Sequence, residues 1–241
     1  TLTASSTGLT SANSFTLAVA LPPATISLTP SSGPPRTTSV TVSGRYFAPN
    51  VSIDITYDGN TVGTVGSGSG SWTHTFTVPA SASGSHTVQA LQATATFTVN
   101  STASLSTSSG PPGTRVNANG EGFGSSQGGI AVSFDGKQVA SGSADSLGSF
   151  SIPFNVPPIG AGSYTVSVGN TSLTFTVTSS FSVSPQSGPP GTTVNVTGSG
   201  FGANTTVSIA FDGTLLRSVA ADGQGAISTT FQAPVTPGGP R

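Results

Sequence analysis

The run GPPGTTVNVTGSGF at residues 188–201 carries the pattern that decides the fold. A Gly-Pro-Pro turn precedes an alternating apolar and polar run, and a Gly-Ser-Gly-Phe bend follows it. Alternation is typical of a half-buried β-strand, because successive side chains point to opposite faces of a sheet. Glycine and proline at both ends favour turns. The run therefore predicts one strand held between two turns.

The same pattern occurs twice earlier, as GPPRTTSVTVSGRYF at residues 33–47 and GPPGTRVNANGEGF at residues 110–123. One repeat therefore spans about 77 residues. Each run is followed by an Asp-Gly pair and then by a strand that ends in proline. Asp-Gly between alternating runs indicates a tight hairpin, since both residues tolerate the positive φ of a type I′ turn. The repetition predicts tandem domains of one fold.

The predicted fold class is all-β, in the form of tandem immunoglobulin-like Greek-key β-sandwiches with about seven short strands per repeat. We place the domains at residues 24–100, 101–179 and 180–241, and read residues 1–23 as two strands plus a linker. The alternation predicts a core in the first two domains that comprises Val42, Ile53, Ile55, Trp72, Phe76, Val132, Phe134, Phe150 and Phe154.

These repeats resemble the IPT/TIG-type immunoglobulin-like repeats of prokaryotic surface proteins. The resemblance is carried best by residues 181–234, through SGPPGT at 187–192, GF at 200–201 and FDG at 211–213. The first repeat departs from it at Arg36 and Tyr46, where the other repeats have glycine. The resemblance implies the sandwich fold, and it implies roles such as stalk, spacer, filament or adhesin.

The composition excludes several classes of protein. Charged residues make up 5% of the chain and its net charge is −1, so we expect no nucleic-acid partner. The absence of cysteine excludes disulfides, thiolate metal sites and thiol catalysis. No segment approaches the roughly 20 apolar residues of a membrane-spanning helix. A surface of Ser, Thr and Gly with few charges suits a chain that is glycosylated or packed into an assembly.

No residues stand out as catalytic or metal-binding. Asp58, Asp135 and Asp212 occupy the same hairpin position, so a structural role in the turn explains them. A calcium site needs six to eight oxygen ligands, and seven acidic residues over three domains make one improbable. Asp145 and Asp222 are read as a second turn. We therefore predict no metal, no cofactor and no enzymatic activity.

Other residues suggest structure or modification. We interpret His74 as a partly buried residue at the edge of the core, and Tyr164 as the donor of a corner hydrogen bond. Asn-x-Ser/Thr sequons, which are possible sites of N-glycosylation, occur at Asn50, Asn100, Asn170, Asn195 and Asn204.

The ends of the chain carry the most specific prediction. The third repeat stops before the two strands that close the first two, and residues 1–19 have the pattern of those strands. We predict that residues 1–21 complete the 180–241 domain of a neighbouring copy, head to tail. The copies are either periods of one tandem-repeat polypeptide, which we favour, or separate subunits joined by strand donation. The predicted inter-copy contact joins Thr1, Leu2, Ala4, Phe15, Leu17 and Val19 to Phe181, Val183, Val207, Ile209, Phe211 and Phe231.

The sequence thus predicts a structural repeat of an extracellular or cell-surface filament, sheath or stalk. Its predicted partners are further copies of itself, with glycans as a second candidate. The alternative is an adhesin or carbohydrate-binding array. That alternative requires exposed aromatic side chains, and Trp72, Tyr46 and Tyr57 are its candidates.

Overall fold

The computed structural model describes residues 22–235, and these residues form β-strands, turns and loops. The predicted all-β fold class is confirmed. Threonine, valine and alternating apolar residues suit the pleated, half-buried surfaces on which they lie. The strands fall into three successive sets, one for each repeat of the sequence.

The first set forms a three-stranded sheet in the order β1-β3-β6 and a five-stranded sheet in the order β2-β8-β7-β4-β5. Its strands are β1 (Thr25–Thr29), β2 (Ser32–Gly33), β3 (Ser39–Arg45), β4 (Ser52–Tyr57), β5 (Asn60–Gly66), β6 (Trp72–Thr77), β7 (Gly84–Ala90) and β8 (Ala93–Val99).

The second set repeats this arrangement, with sheets in the orders β14-β11-β9 and β10-β16-β15-β12-β13. Its strands are β9 (Thr102–Leu105), β10 (Ser109–Gly110), β11 (Arg115–Glu121), β12 (Ile130–Phe134), β13 (Lys137–Gly142), β14 (Phe150–Asn155), β15 (Gly162–Val168) and β16 (Thr171–Val177).

Within residues 22–235, the third set has the three-stranded sheet β17-β18-β21 and a second sheet formed by the hairpin β19-β20. Its strands are β17 (Ser180–Ser184), β18 (Thr193–Ser199), β19 (Thr206–Phe211), β20 (Thr214–Ala220) and β21 (Ile227–Gln232). The predicted strands in residues 1–19 lie outside the described residues.

The predicted hairpin turns are confirmed. Asp58 and Gly59 have φ values of 48° and 81°, and both later Asp-Gly pairs have the same signs. Positive φ at both central residues is the signature of a type I′ turn, whose twist matches that of the flanking strands.

The predicted core is buried, with one exception. Of the nine residues, eight are at most 7% exposed, and Trp72 is among them. Phe150 is half-buried instead. It begins the edge strand β14, where its ring packs on Phe123 at a centroid distance of 4.8 Å and remains partly open on its other side.

Hydroxyl groups pair across the strands of the three-stranded sheets. Thr41 Oγ1 lies 3.2 Å from Thr75 Oγ1, and Ser182 Oγ lies 2.9 Å from Thr197 Oγ1. Such cross-strand pairs stabilise antiparallel sheets. They occupy positions where many proteins place oppositely charged side chains.

The described residues divide into two compact units. The first comprises residues 22–32, 37–78 and 85–98, and the second comprises residues 33–36, 79–84 and 99–235. The loops at 33–36 and 79–84 therefore belong to the second unit. The domain boundaries at residues 24, 101 and 180 stay predictions.

Candidate assembly surface

An open apolar groove lies in the third set of strands. Its volume is about 910 Å³, and its floor and walls come from the sheet β17-β18-β21 and the hairpin β19-β20. The structure brings together on this groove all six predicted contact residues of the third repeat, which are Phe181, Val183, Val207, Ile209, Phe211 and Phe231.

In the first two repeats, the equivalents of Phe181 and Val183 are half-buried, and those of the other four residues are buried. Phe211 corresponds to Tyr57 and Phe134, which stand before the same Asp-Gly turn and are 3% and 2% exposed. Val207 and Ile209 are half-buried, whereas their counterparts in β4 and β12 are buried. Phe181 is 72% exposed. Among residues 22–235, the third repeat therefore has no strands over the apolar face that the other two repeats cover.

The strands that cover this face elsewhere are β7 and β8 in the first set, and β15 and β16 in the second. Phe97 in β8 and Phe175 in β16 are fully buried and fill the space between the two sheets. Within residues 22–235, β19 pairs with β20 alone, whereas β4 and β12 also pair with β7 and β15. One edge of β19 thus presents backbone groups available for pairing.

The predicted partners in the other half of the contact lie outside the described residues. They are Thr1, Leu2, Ala4, Phe15, Leu17 and Val19. The contact between the two halves therefore stays a prediction.

All five sequon asparagines are exposed. Asn50 and Asn204 share one feature, since both occupy the same turn after the Phe of the bend, with φ values of 57° and 58°. Asparagine is among the residues that tolerate this left-handed conformation. Their side chains lie at the surface, where an added sugar would meet no protein core.

Two aspartates form the second turn that the sequence predicted. The backbone N–H groups of Leu147 and Ser149 each donate to Asp145 Oδ1 at 2.9 Å. Ala226 and Gln224 donate in the same way to Asp222 Oδ1, at 2.9 and 2.8 Å. These bonds, that of Ala226 first, hold the pKa of the Asp222 carboxyl below its usual value, because they favour the charged form.

No group of three or more His, Asp or Glu side chains that could hold a metal occurs in residues 22–235. Among the aromatic candidates for ligand stacking, Trp72 and Tyr57 are buried and Tyr46 is 51% exposed. The burial of Trp72 removes the large flat ring on which a sugar would stack.

The interpretation of His74 is confirmed, since it is half-buried in β6. The interpretation of Tyr164 is confirmed as well. Its hydroxyl donates to the carbonyl oxygen of Gly160 at 2.9 Å, four residues upstream. This bond fixes the entry into β15, as the tyrosine corner does in immunoglobulin-like sandwiches.

No helix in the part of the chain that the structure describes has the length and apolar character needed to cross a membrane. No curated protein matches the chain. Among solved structures, the chain is similar to a tetra-tandem repeat in the extending region of a large adhesion protein, at 20% identity and a TM-score of 0.30. That match covers 87% of this chain and 66% of the other.

The full extracellular region of plexin A4 is similar at 15% identity and a TM-score of 0.25, over 91% of this chain and 21% of that one. The eight N-terminal Ig domains of the Down Syndrome Cell Adhesion Molecule are similar at 14% identity and a TM-score of 0.24. That match covers 89% of this chain and 32% of the other. The chain thus spans less than two thirds of the length of these structures.

The family model described as the IPT/TIG domain matches the chain twice, at residues 23–105 and 101–182. Tandem repeats of this kind are typical of extracellular, adhesion-type proteins. The two matches follow the first two sets of strands and cover well over half of the sequence. The chain therefore belongs to the IPT/TIG family of immunoglobulin-like domains.

Proposed function

We propose that the chain is a structural repeat unit of an extracellular filament, sheath or surface stalk, assembled head to tail. In this assembly residues 1–19 of one copy supply the last two strands of the third sandwich of another copy. The observation that carries the proposal is the open groove of the third repeat. Four of its lining residues, Val207, Ile209, Phe211 and Phe231, are the counterparts of buried core residues.

The pairing of the first two repeats gives the register. Tyr57 pairs with Val88 and Ile55 with Ala90 in the first repeat, while Phe134 pairs with Val166 and Val132 with Val168 in the second. Carried over to the third repeat, this register pairs Phe211 with Leu2 and Ile209 with Ala4 of the donor copy. Apolar residues then face the groove at alternate positions of the donor strand.

The second donated strand supplies the bulk. Phe15, Leu17 and Val19 alternate with smaller or polar residues, as Phe97 and Val99 do in β8. An aromatic ring in this strand would occupy the space that Phe97 and Phe175 fill in the complete sandwiches. Burial of such a side chain is worth about 1.5–3 kcal/mol, so several of them together favour strand addition.

Such a contact joins different surfaces of the two copies. A head-to-tail contact of this kind leaves one unused donor and one unused groove at the ends of any assembly, so it generates an open linear polymer. The family, the low charge and the abundance of Ser and Thr favour an extracellular place for this polymer. The burial of Trp72 and Tyr57 speaks against the alternative of a carbohydrate-binding array.

The test uses the purified 241-residue chain, its assembly state measured by sedimentation velocity and electron microscopy. Leu2→Asp and Phe15→Asp place a charge in the groove and should abolish polymers. Thr3→Asp is the matched control, because Thr3 lies between Leu2 and Ala4 and faces away from the groove in this register. Monomers of the unaltered chain, or polymers indifferent to all three changes, would refute the proposal.

Denaturing mass analysis of the native material separates the two forms of the assembly. A species near 23.5 kDa indicates separate subunits joined by strand donation. Much larger chains indicate a continuous tandem-repeat polypeptide, in which the donor strands simply precede the next repeat.

A further inference from the structure

The second glycine of the bend contacts the repeat that precedes it. A Cβ at Gly122 would lie 2.9 Å from Pro35 Cδ and 2.8 Å from the carbonyl oxygen of Asn100. A Cβ at Gly200 would lie 3.1 Å from Pro112 Cδ. Pro35 and Pro112 are each the second proline of a Gly-Pro-Pro turn. Both contacts lie within the second compact unit, and each places a bend glycine against the second proline of the preceding turn.

A backbone hydrogen bond accompanies each contact. Ser83 N–H donates to Phe123 O at 2.9 Å, and Ala161 N–H donates to Gly200 O at 2.8 Å. Ser83 and Ala161 occupy the same position, one residue before the glycine that begins β7 or β15. A bend without a side chain at residues 122 and 200 allows the backbones to approach closely. We call this arrangement, of the bend glycine against the preceding proline and its loop, the repeat joint.

Tyr46 occupies the position of the bend glycine in the first repeat. Its φ is 63°, against 66° at Gly122 and 74° at Gly200. A bulky residue is strained in this conformation, which glycine adopts freely. Gly122 and Gly200 are buried, whereas Tyr46 is 51% exposed. An exposed aromatic residue held in a strained conformation is a candidate for contact with a partner.

The bend residue is exposed in the first repeat and buried in the later two, whereas the Gly-Pro-Pro turn becomes more exposed from the first repeat to the third. Gly33 and Pro35 are buried, residues 110–112 are half-buried, and residues 188–190 are exposed. Pro190 stands where Pro35 and Pro112 stand in the other two turns. The first repeat therefore has an exposed bend residue, and the third repeat has an exposed Gly-Pro-Pro turn. Each of the two groups that meet in the inner joints is therefore exposed in one repeat.

We propose that Tyr46 of one copy packs on Pro190 of the copy that precedes it, as the third joint of the assembly. The inference rests on the proposed head-to-tail function and deepens it by naming the residues that meet beside the donated strands. A tyrosine does not fit a joint as close as those at Gly122 and Gly200. The joint between copies is therefore wider, with the phenol ring covering the pyrrolidine ring in place of a backbone contact.

The first experiment places the photo-crosslinking amino acid p-benzoylphenylalanine at position 46, which keeps an aromatic ring there. Isotopically heavy and light chains are mixed, assembled and irradiated, and the adducts are mapped by mass spectrometry. We expect mixed heavy–light adducts at residues 188–191. The same label at Leu147, an exposed apolar residue of the second repeat, is the control and should give no such adduct.

The outcomes separate the two proposals. Polymers whose adducts lie elsewhere, or join residues of the same chain, would overturn the contact and leave the head-to-tail assembly standing. Chains that stay monomeric would overturn both.

A second measurement uses Tyr46→Gly, which removes the ring and relieves the positive φ. We expect a chain that unfolds no more readily than the unaltered one, yet associates about tenfold more weakly, a loss of the size found for aromatic residues at interfaces. Tyr46→Phe, which keeps the ring, should assemble normally. Unchanged association of Tyr46→Gly would contradict the proposal.

Discussion

His86 Nδ1 lies 2.6 Å from Asp58 Oδ2, although 28 residues separate the two in the sequence. The other carboxylate oxygen, Asp58 Oδ1, accepts a hydrogen bond from Thr87 N–H at 2.9 Å. The His86 ring also stacks on Tyr57 at a centroid distance of 5.2 Å. The aspartate of the hairpin turn thus ties the β4-β5 hairpin to the beginning of β7.

Replacing Asp58 tests how much of this tie depends on charge. Asp58→Asn keeps a carbonyl acceptor and a residue that tolerates positive φ, so we expect a loss below about 1 kcal/mol. Asp58→Ala loses the acceptor and is strained in the turn, so the loss should be about 1–3 kcal/mol. Native-state hydrogen exchange of β4 and β7 amides in the full chain measures both. Equal losses would contradict this account.

Truncation of the core should follow burial. Phe154 is 5% exposed and belongs to the main core of the second repeat, so Phe154→Ala should cost about 3–5 kcal/mol. Phe150→Ala should cost clearly less, because Phe150 is half-buried at a sheet edge. Hydrogen exchange of β11 amides, which pair with β14, reports both variants. A larger loss of unfolding free energy for Phe150→Ala than for Phe154→Ala would contradict this prediction.

The corner hydrogen bond of Tyr164 can be removed alone. Tyr164→Phe deletes the hydroxyl that donates to Gly160 and should cost about 1 kcal/mol in the exchange of β15 amides. Ser163→Ala, at the exposed neighbouring position, is the matched control and should change little. Indistinguishable exchange in the two variants would mean that the bond is not formed in solution.

The turn at Asp222 should respond to acid. Its pKa is lowered in the folded chain, so the charged form stabilises the turn above the unfolded pKa of about 3.9. This stabilisation is lost as pH falls through the lower, folded pKa. NMR shifts of the Gln224 and Ala226 amides against pH should show a midpoint below about 3.9. Asp222→Asn should abolish that titration, and a midpoint above the ordinary value would contradict the prediction.

The exposed sequons predict glycans. We expect peptide mass spectrometry of the native material to find sugar on at least one of the five sequon asparagines, since all are exposed. Asn60, which is exposed but lies outside a sequon, serves as the internal control and should be unmodified. Five bare sequons in native material would exclude this modification.

Local rules predicted the turns and the sheet faces well. Asp-Gly pairs specify their hairpins through two residues, and period-two alternation placed Ile53 and Ile55 in the core, where they are buried. The half-burial of Phe150 was missed, because alternation gives the face of a strand and not how well its first residue is covered; Phe154 on the same strand is buried. The contact of His86 with Asp58 depends on the pairing of β4 with β7, which alternation does not specify.

Part of the candidate surface could likewise be predicted from the sequence, and part could not. Counting the strands of each repeat was enough to identify six residues, from Phe181 to Phe231, that line the groove. The repeat joint could not be predicted from the sequence. It depends on the contact of Gly122 with Pro35, and no local sequence pattern indicates that contact. The sequence marked Tyr46 as an exception to a glycine and as an aromatic candidate for binding, but it did not predict the positive φ of this residue.

The hydroxyl pairs across the sheets affect how the stability of the protein depends on salt concentration. Attraction between exposed charges weakens as salt rises, because mobile ions shorten its range to a Debye length of about 10 Å at 0.1 M. Hydrogen bonds between neutral hydroxyls, such as Thr41 with Thr75 and Ser182 with Thr197, carry no net charge for ions to screen. The contribution of these pairs to the stability of the sheets should therefore be nearly the same at low and at high ionic strength.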